Sequence, residues 1–118
     1  MADKDELGRR GEEVASAYLR TCGWTILARN WRGEHGELDI VAREGAEIVV
    51  VEVKTRSSDL FGHPLEAVDA RKLSRLWRLG AQWCREHPDQ SRGARLRVDA
   101  VALTGRRDFT LEHLRDLR

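Results

Sequence analysis

Apolar residues in the first 22 positions recur every three or four residues. Leu7, Gly11, Val14, Ala15, Tyr18, Leu19 and Cys22 share one side of a helix, which the spacing predicts over residues 5–22. Gly23 stops it. Beyond the glycine the period shortens to two. Residues 24–31 read as a strand, residues 32–36 (Arg-Gly-Glu-His-Gly) as a turn, and residues 37–43 as a second, alternating strand. Glu44-Gly45 has the form of a two-residue hairpin turn, and residues 46–55, dense in valine, make a third strand. A loop over residues 57–63 is punctuated by Gly62 and Pro64.

Helical spacing returns over residues 65–86. Leu73, Leu76, Trp77, Gly80, Ala81 and Cys84 lie on one side; Arg71, Arg75, Arg78, Gln82 and Arg85 lie opposite, in a stripe roughly 80° wide at 100° per residue. A loop over 88–93, a fourth strand over 96–103 and a short fifth strand over 109–114 complete the chain. The order α-β-β-β-α-β-β in 118 residues describes one α/β domain spanning 1–118. A helix between strands three and four requires a crossover, hence a mixed sheet of about five strands covered by helices.

Charge changes this picture little. The 21 basic and 20 acidic residues leave a net charge of +1, so no global field attracts a polyanion, and affinity for one must come from clustering on one face. Only Lys4, Lys54 and Lys72 are lysines; arginine, the dominant base, suits bidentate phosphate contact but also simply solubilises a surface. Cys22 and Cys84 lack CxxC spacing and fall on apolar helix faces, as reduced core residues do. The charged opening Met1–Arg10 is followed by no apolar signal region, and no purely apolar run, Ile48–Val51 included, exceeds four residues. These features point to a cytoplasmic protein without a membrane partner.

Hairpin parity decides which acidic side chains can meet. A turn at Glu44-Gly45 sets Val41 opposite Ile48, Asp39 opposite Val50 and Glu37 opposite Glu52. Asp39, Glu37, Glu52 and Lys54 then project from one sheet face, with Asp39 diagonal to Glu52; a three-residue turn would reverse Asp39. A charged Glu52-Val53-Lys54 ending a valine-rich strand is unusual, because buried carboxylates are costly unless paired or bound to a metal. Two adjacent carboxylates suit a hard cation that keeps several waters, Mg²⁺ or Mn²⁺. Such an ion can polarise a phosphoryl oxygen, while Lys54 orients water or stabilises growing charge. The alternative is an Asp39/Glu52–Lys54 ion-pair network at a sheet end.

Gly11-Glu12, the segment Gly36-Glu37-Leu38-Asp39-Ile40-Val41, the segment Val51-Glu52-Val53-Lys54-Thr55-Arg56, Phe61-Gly62 and Arg97-Val98-Asp99-Ala100-Val101 together resemble the YraN-like family of bacterial proteins over residues 8 to about 103. That family resembles the restriction-endonuclease-like superfamily with its Asp…Glu-x-Lys signature, and within it is similar to archaeal Holliday-junction resolvases. The resemblance implies Glu12, Asp39 and Glu52 as metal ligands and Lys54 as the catalytic lysine. It implies a divalent-metal-dependent endonuclease acting on structured or branched DNA by phosphodiester hydrolysis; the alternative is a non-catalytic nucleic-acid-binding or DNA-processing accessory protein that keeps the fold. Leu38 stands where the superfamily name places a proline, which is not a ligand. Resolvases of the similar group act as dimers, which implies a homodimer.

Thr55 and Arg56 follow the lysine and are candidates for phosphate contact, or are simply a strand turning into a loop. Lys72, Arg71 and Arg75 could track a nucleic-acid backbone, or form a solvated helix face. Asp99, beside Arg97, reads as a structural hydrogen-bonding residue. His35 and His63, in loops, show no ligand spacing. Among the tryptophans, which could stack on bases, Trp77 reads as core and Trp83 as its flank.

Overall fold

A computed structural model describes residues 2–58, 60 and 62–118, with side chains from Asp5 onward. Phe61, half of the Phe61-Gly62 pair, lies outside the described residues. The elements are α1 (Ala2–Thr21), β1 (Thr25–Gly33), β2 (Gly36–Glu44), β3 (Glu47–Arg56), a 3-10 turn (Pro64–Ala67), α2 (Ala70–Glu86), α3 (Pro88–Ser91), β4 (Arg95–Thr104) and β5 (Thr110–Leu114). The sheet runs β1-β2-β3-β4-β5. Its hairpins are antiparallel; β3 and β4, joined through α2, pair in parallel, as the crossover requires.

Each sheet face buries its own core. Val49, Val51 and Val53 join Ala15 and Leu19 of α1; Ile48 and Val50 join Leu76, Leu79 and Trp83 of α2. Helix, sheet and helix thus form three layers, the α/β arrangement expected from the sequence. Among the described residues no helix is long and apolar enough to cross a membrane.

The β2–β3 turn is Gly45-Ala46, not Glu44-Gly45. Glu44 faces Glu47, and Val41 faces Val50 rather than Ile48. Gly45 takes the first turn position at φ 58°, where hairpin turns of the primed types favour glycine. The slip is two residues, so each β3 side chain keeps its expected face.

Residues 65–86 are not one helix. Pro64–Ala67 make a separate 3-10 turn, and α2 begins after Asp69, whose extended backbone and side chain cap it by accepting from Lys72 N at 2.8 Å. The supposed loop at 88–93 opens with the short α3. Trp83, not Trp77, is the core tryptophan of α2: it is buried and stacked on His87, while half-buried Trp77 donates to Leu117 O at 3.0 Å. The β1–β2 turn lies against Leu79 and draws the buried sector of α2 toward Trp83. Cys22 is exposed rather than core, because α1 ends at Thr21.

Asp99 is structural, as its sequence suggests. Fully buried, it takes Arg97 Nε at 2.9 Å, His113 Nε2 at 2.8 Å and Asp116 N at 2.9 Å; His113 Nδ1 meets the Tyr18 hydroxyl at 2.8 Å. Burial opposes its charge, but the bonds from His113, Arg97 and Asp116 hold the carboxyl below the ordinary range.

Gly11 brings α1 directly onto β3: a Cβ there would stand 2.0 Å from Thr55 Oγ1, whereas one at Gly8 meets nothing within 4 Å. Gly8→Ala should therefore stabilise the protein by about 0.5–1 kcal/mol through helix propensity. Gly11→Ala should destabilise it by about 1–3 kcal/mol through overpacking, with part of the loss recovered by Thr55→Gly in the same chain. Urea unfolding of the variants tests this; equal effects at the two glycines would refute the close approach.

Candidate active site

The site forms where the regular sheet stops. β1 and β2 pair at Arg29↔Ile40 and at Trp31↔Leu38; Asn30 and Asp39 sit between these pairs. Asn30 has a left-handed φ of 53°, which asparagine tolerates better than most residues. Leu38 packs on the α2 side and Ile40 on the α1 side, although residues two apart in a strand normally share a face. Strand alternation therefore breaks at Asp39.

The paired part of the β2–β3 ladder ends at Ile40↔Val51. Beyond it the Asp39 side chain replaces a main-chain partner, its Oδ2 accepting from Val53 N at 2.8 Å. Asp39 thus meets Glu52 across the gap between parting strands, not as a diagonal neighbour on a regular ladder. Glu37 does not face Glu52: it pairs with Arg32 in β1, is exposed, and lies 3.5 Å from the Arg32 guanidinium.

Glu52 is 3% exposed. Its Oε2 lies 3.4 Å from Lys54 Nζ and 3.2 Å from Lys72 Nζ. Lys72 belongs to the first turn of α2 and is Glu52's second cation, a contact the sequence does not signal. The Glu52 carboxyl acts on Asp39 through its negative charge. Burial, and behind it the charge of Glu52, push the Asp39 carboxyl up to about 7; the Val53 N–H pulls it down, and the charge of Glu12 adds to the rise.

Glu12 stands at the rim, on α1. Burial raises its carboxyl above the ordinary value, as do the charges of Glu37 and Glu52, against a hydrogen bond to Asn30 and the charge of Arg29. Arg29 Nη2 is 4.0 Å away, and the other guanidinium nitrogen binds exposed Glu13. Thr55 lies under Gly11, and exposed Arg56 lines a cleft with Glu12, Asn30 and Lys54. Arg71 is exposed, and half-buried Arg75 reaches Gly36. Asn30 went unread in the sequence; its one signal there is an asparagine inside a strand, where that residue is depleted.

The donor set suits a hard divalent ion in one respect and falls short in another. The Val53 N–H and the lysines engage Asp39 Oδ2 and Glu52 Oε2, so the second oxygen of each carboxyl is not used by these contacts, and hard oxygen donors suit such an ion. No group of three or more His, Cys, Asp or Glu side chains placed to hold an ion occurs among the described residues. Glu12 is coupled to the pair through charge, not gathered with it as a third ligand.

This is an α/β domain with an acidic pair and two lysines at the open end of a mixed sheet. Residues 11–103 match the family described as "Uncharacterised protein family UPF0102", and the chain belongs to that family. It is 50% identical over 115 residues to a UPF0102 protein of Arthrobacter sp. (strain FB24), with 98% of each chain covered. A UPF0102 protein of Leifsonia xyli subsp. xyli is 53% identical over 103 residues, covering 87% of this chain and 86% of its own. One from Frankia alni is 50% identical over 115 residues, covering 98% and 96%.

The Asp39 shift predicts a pH dependence. An ordinary aspartyl carboxyl titrates at 3.8. Between that pH and about 7 the folded chain holds more protons than the unfolded one, so Asp39 stabilises the fold fully below pH 4 and loses this contribution as pH rises through 7. In metal-free buffer Asp39→Asn, whose amide oxygen can still accept from Val53 N, should raise stability by about 1–3 kcal/mol at pH 8 and little at pH 4. Urea titrations across that range test it; a gain larger at pH 4 would refute the assignment.

Proposed function

We propose that this protein is a divalent-metal-dependent endonuclease that hydrolyses phosphodiester bonds in structured or branched DNA. The observation that carries the reading is the electrostatic pairing of Asp39 and Glu52: burial and the charge of Glu52 push the Asp39 carboxyl up to about 7, Asp39 Oδ2 is held by Val53 N, and Lys54 sits 3.4 Å from Glu52. Asp39 and Glu52 would hold Mg²⁺ or Mn²⁺, with Glu12 contributing charge from the rim. When bound, such an ion lowers the pKa of coordinated water and polarises a phosphoryl oxygen. Val53 N–H holds Asp39 Oδ2 and fixes the carboxylate's position. Lys54, 25% exposed at the side chain, places a positive charge where negative charge grows on the phosphate. Lys72 holds Glu52 in place from α2. A homodimer would present two such sites to a two-fold junction.

A second reading has its own observation. Lys54 and Lys72 both lie on Glu52 and supply it with two cations without any metal ion, and no three-ligand group is present among the described residues. A self-neutralised network of this kind suits an accessory nucleic-acid-binding protein that keeps the fold without the reaction.

Cleavage separates the two. Purified protein incubated with branched, flapped and linear DNA should cut branched substrates with Mg²⁺ or Mn²⁺ and not with EDTA. Asp39→Ala and Lys54→Ala should each lower the rate by at least about 100-fold. Cleavage that survives both substitutions would remove these residues from the reaction. Metal-independent binding without cleavage in every condition would establish the accessory reading.

A further inference from the structure

The notable unused feature outside the acidic centre is a basic cleft. It has a volume of about 480 Å³ and lies between α2 and the β1–β2 turn, lined by Arg75, Arg78, Gln82 and Arg85 on the helix and by Glu34 and His35 on the turn. Its walls are fastened together: Gln82 Oε1 accepts from Glu34 N at 3.0 Å, and the Arg75 and Leu79 side chains lie against Gly36. Among the described residues, Arg75, Arg78 and Arg85 make no ion pair with a carboxylate. Arg78 and Arg85 are exposed and Arg75 is half-buried.

The cleft and the site share α2. Lys72, whose amine lies on Glu52, precedes Arg75 by three residues on the same helix, about 60° round and less than one turn along. From Arg75 to Arg85 the helix rises about 15 Å, the rise of four or five nucleotides of one strand. A row of unpaired guanidinium groups matches regularly spaced phosphates, whereas an apolar or mixed-charge partner would leave them uncompensated.

We infer that this cleft seats the phosphodiester backbone of a nucleic-acid strand, leading along α2 to the Glu52 end of the sheet. The inference rests on the reading of the protein as one that acts on nucleic acid, and it assigns the contacts to Arg75, Arg78 and Arg85 rather than to Lys72, which Glu52 occupies. The contacts are to phosphate, so binding through them is indifferent to base sequence.

Binding is measured by fluorescence anisotropy in EDTA, where no cleavage can occur. The probes are two labelled 20-mers of unrelated sequence, each single-stranded and duplex. The combined variant Arg75→Gln/Arg78→Gln/Arg85→Gln should bind every probe at least about tenfold more weakly at low salt. Its log K against log salt slope should be shallower by about two. Arg92→Gln/Arg106→Gln/Arg107→Gln, which removes as much charge elsewhere, should do neither. Should the first triple variant melt early, Arg78→Gln/Arg85→Gln, at two exposed positions, reads the same effect.

Unchanged affinity and slope in the cleft variants would overturn the inference. Displacement of DNA from the native protein by polyglutamate as readily as by unlabelled DNA would also overturn it, in favour of an acidic protein partner. The two readings fail separately: cleft-dependent binding with no cleavage under any metal would end the nuclease reading and leave the cleft standing. Full cleavage with undiminished binding by the cleft variants would do the reverse.

Discussion

A carboxylate that is 3% exposed has lost most of its hydration and holds its charge only if the fold supplies cations. Glu52 receives two, Lys54 from its own strand and Lys72 from the first turn of α2. This contact ties the end of the central strand to the start of the crossover helix, whose cap at Asp69 is set by the same turn: Asp69 Oδ1 accepts from the backbone N–H of Lys72. Removing one partner of such a buried pair typically costs about 3–5 kcal/mol, because the other charge is left stranded. Glu52 thus holds the first turn of α2, which Asp69 caps and from which the arginine stripe runs.

Buried Asp99 and half-buried Asp39 show what a satisfied and an unsatisfied site look like in one molecule. Asp99 takes four hydrogen bonds from Arg97, His113 and Asp116 and sits below the ordinary carboxylate range. That network extends from Arg97 to Glu44 and Glu47 and through His113 to Tyr18, joining α1, β2, β3, β4 and β5. It has no capacity left for a ligand and is architecture. Asp39 takes one main-chain hydrogen bond, has Glu52 beside it, and is pushed up to about 7. A group that the fold buries without compensating is where an added cation gains most, and functional sites concentrate such groups.

Much of this was legible in the sequence, and the failures have definite causes. Element order, the mixed sheet and the valine faces followed from periodicity alone. The β3 face assignment withstood a wrong turn because the error was two residues, and parity ignores even slips. The contact of Asp39 with Glu52 was read through a regular ladder, whereas it depends on a break in alternation opposite Asn30 at φ 53°. No periodicity encodes a left-handed residue within a strand. Trp83 and Trp77 were exchanged because the buried sector of α2 is widened by the β1–β2 turn, a tertiary contact. Lys72 read as one more base on a basic helix because nothing local says that the first turn of α2 lands on Glu52.

Near-neutral net charge weighs less against a polyanionic ligand than its value suggests, because the fold sorts the charges. Carboxylates are paired with nearby bases: Glu52 with two lysines, Asp99 with Arg97, Glu12 and Glu13 with Arg29. Arg75, Arg78 and Arg85 are left outside on one cleft wall. The +1 sum therefore counts acids that neighbouring bases already screen, while the field at the cleft is set by the three guanidinium groups and opposed chiefly by the exposed Glu34 and Glu86. At physiological salt, screening over about 8 Å separates that surface from charges farther away. What a phosphate meets along α2 is decided by which bases the folded core has left unpaired.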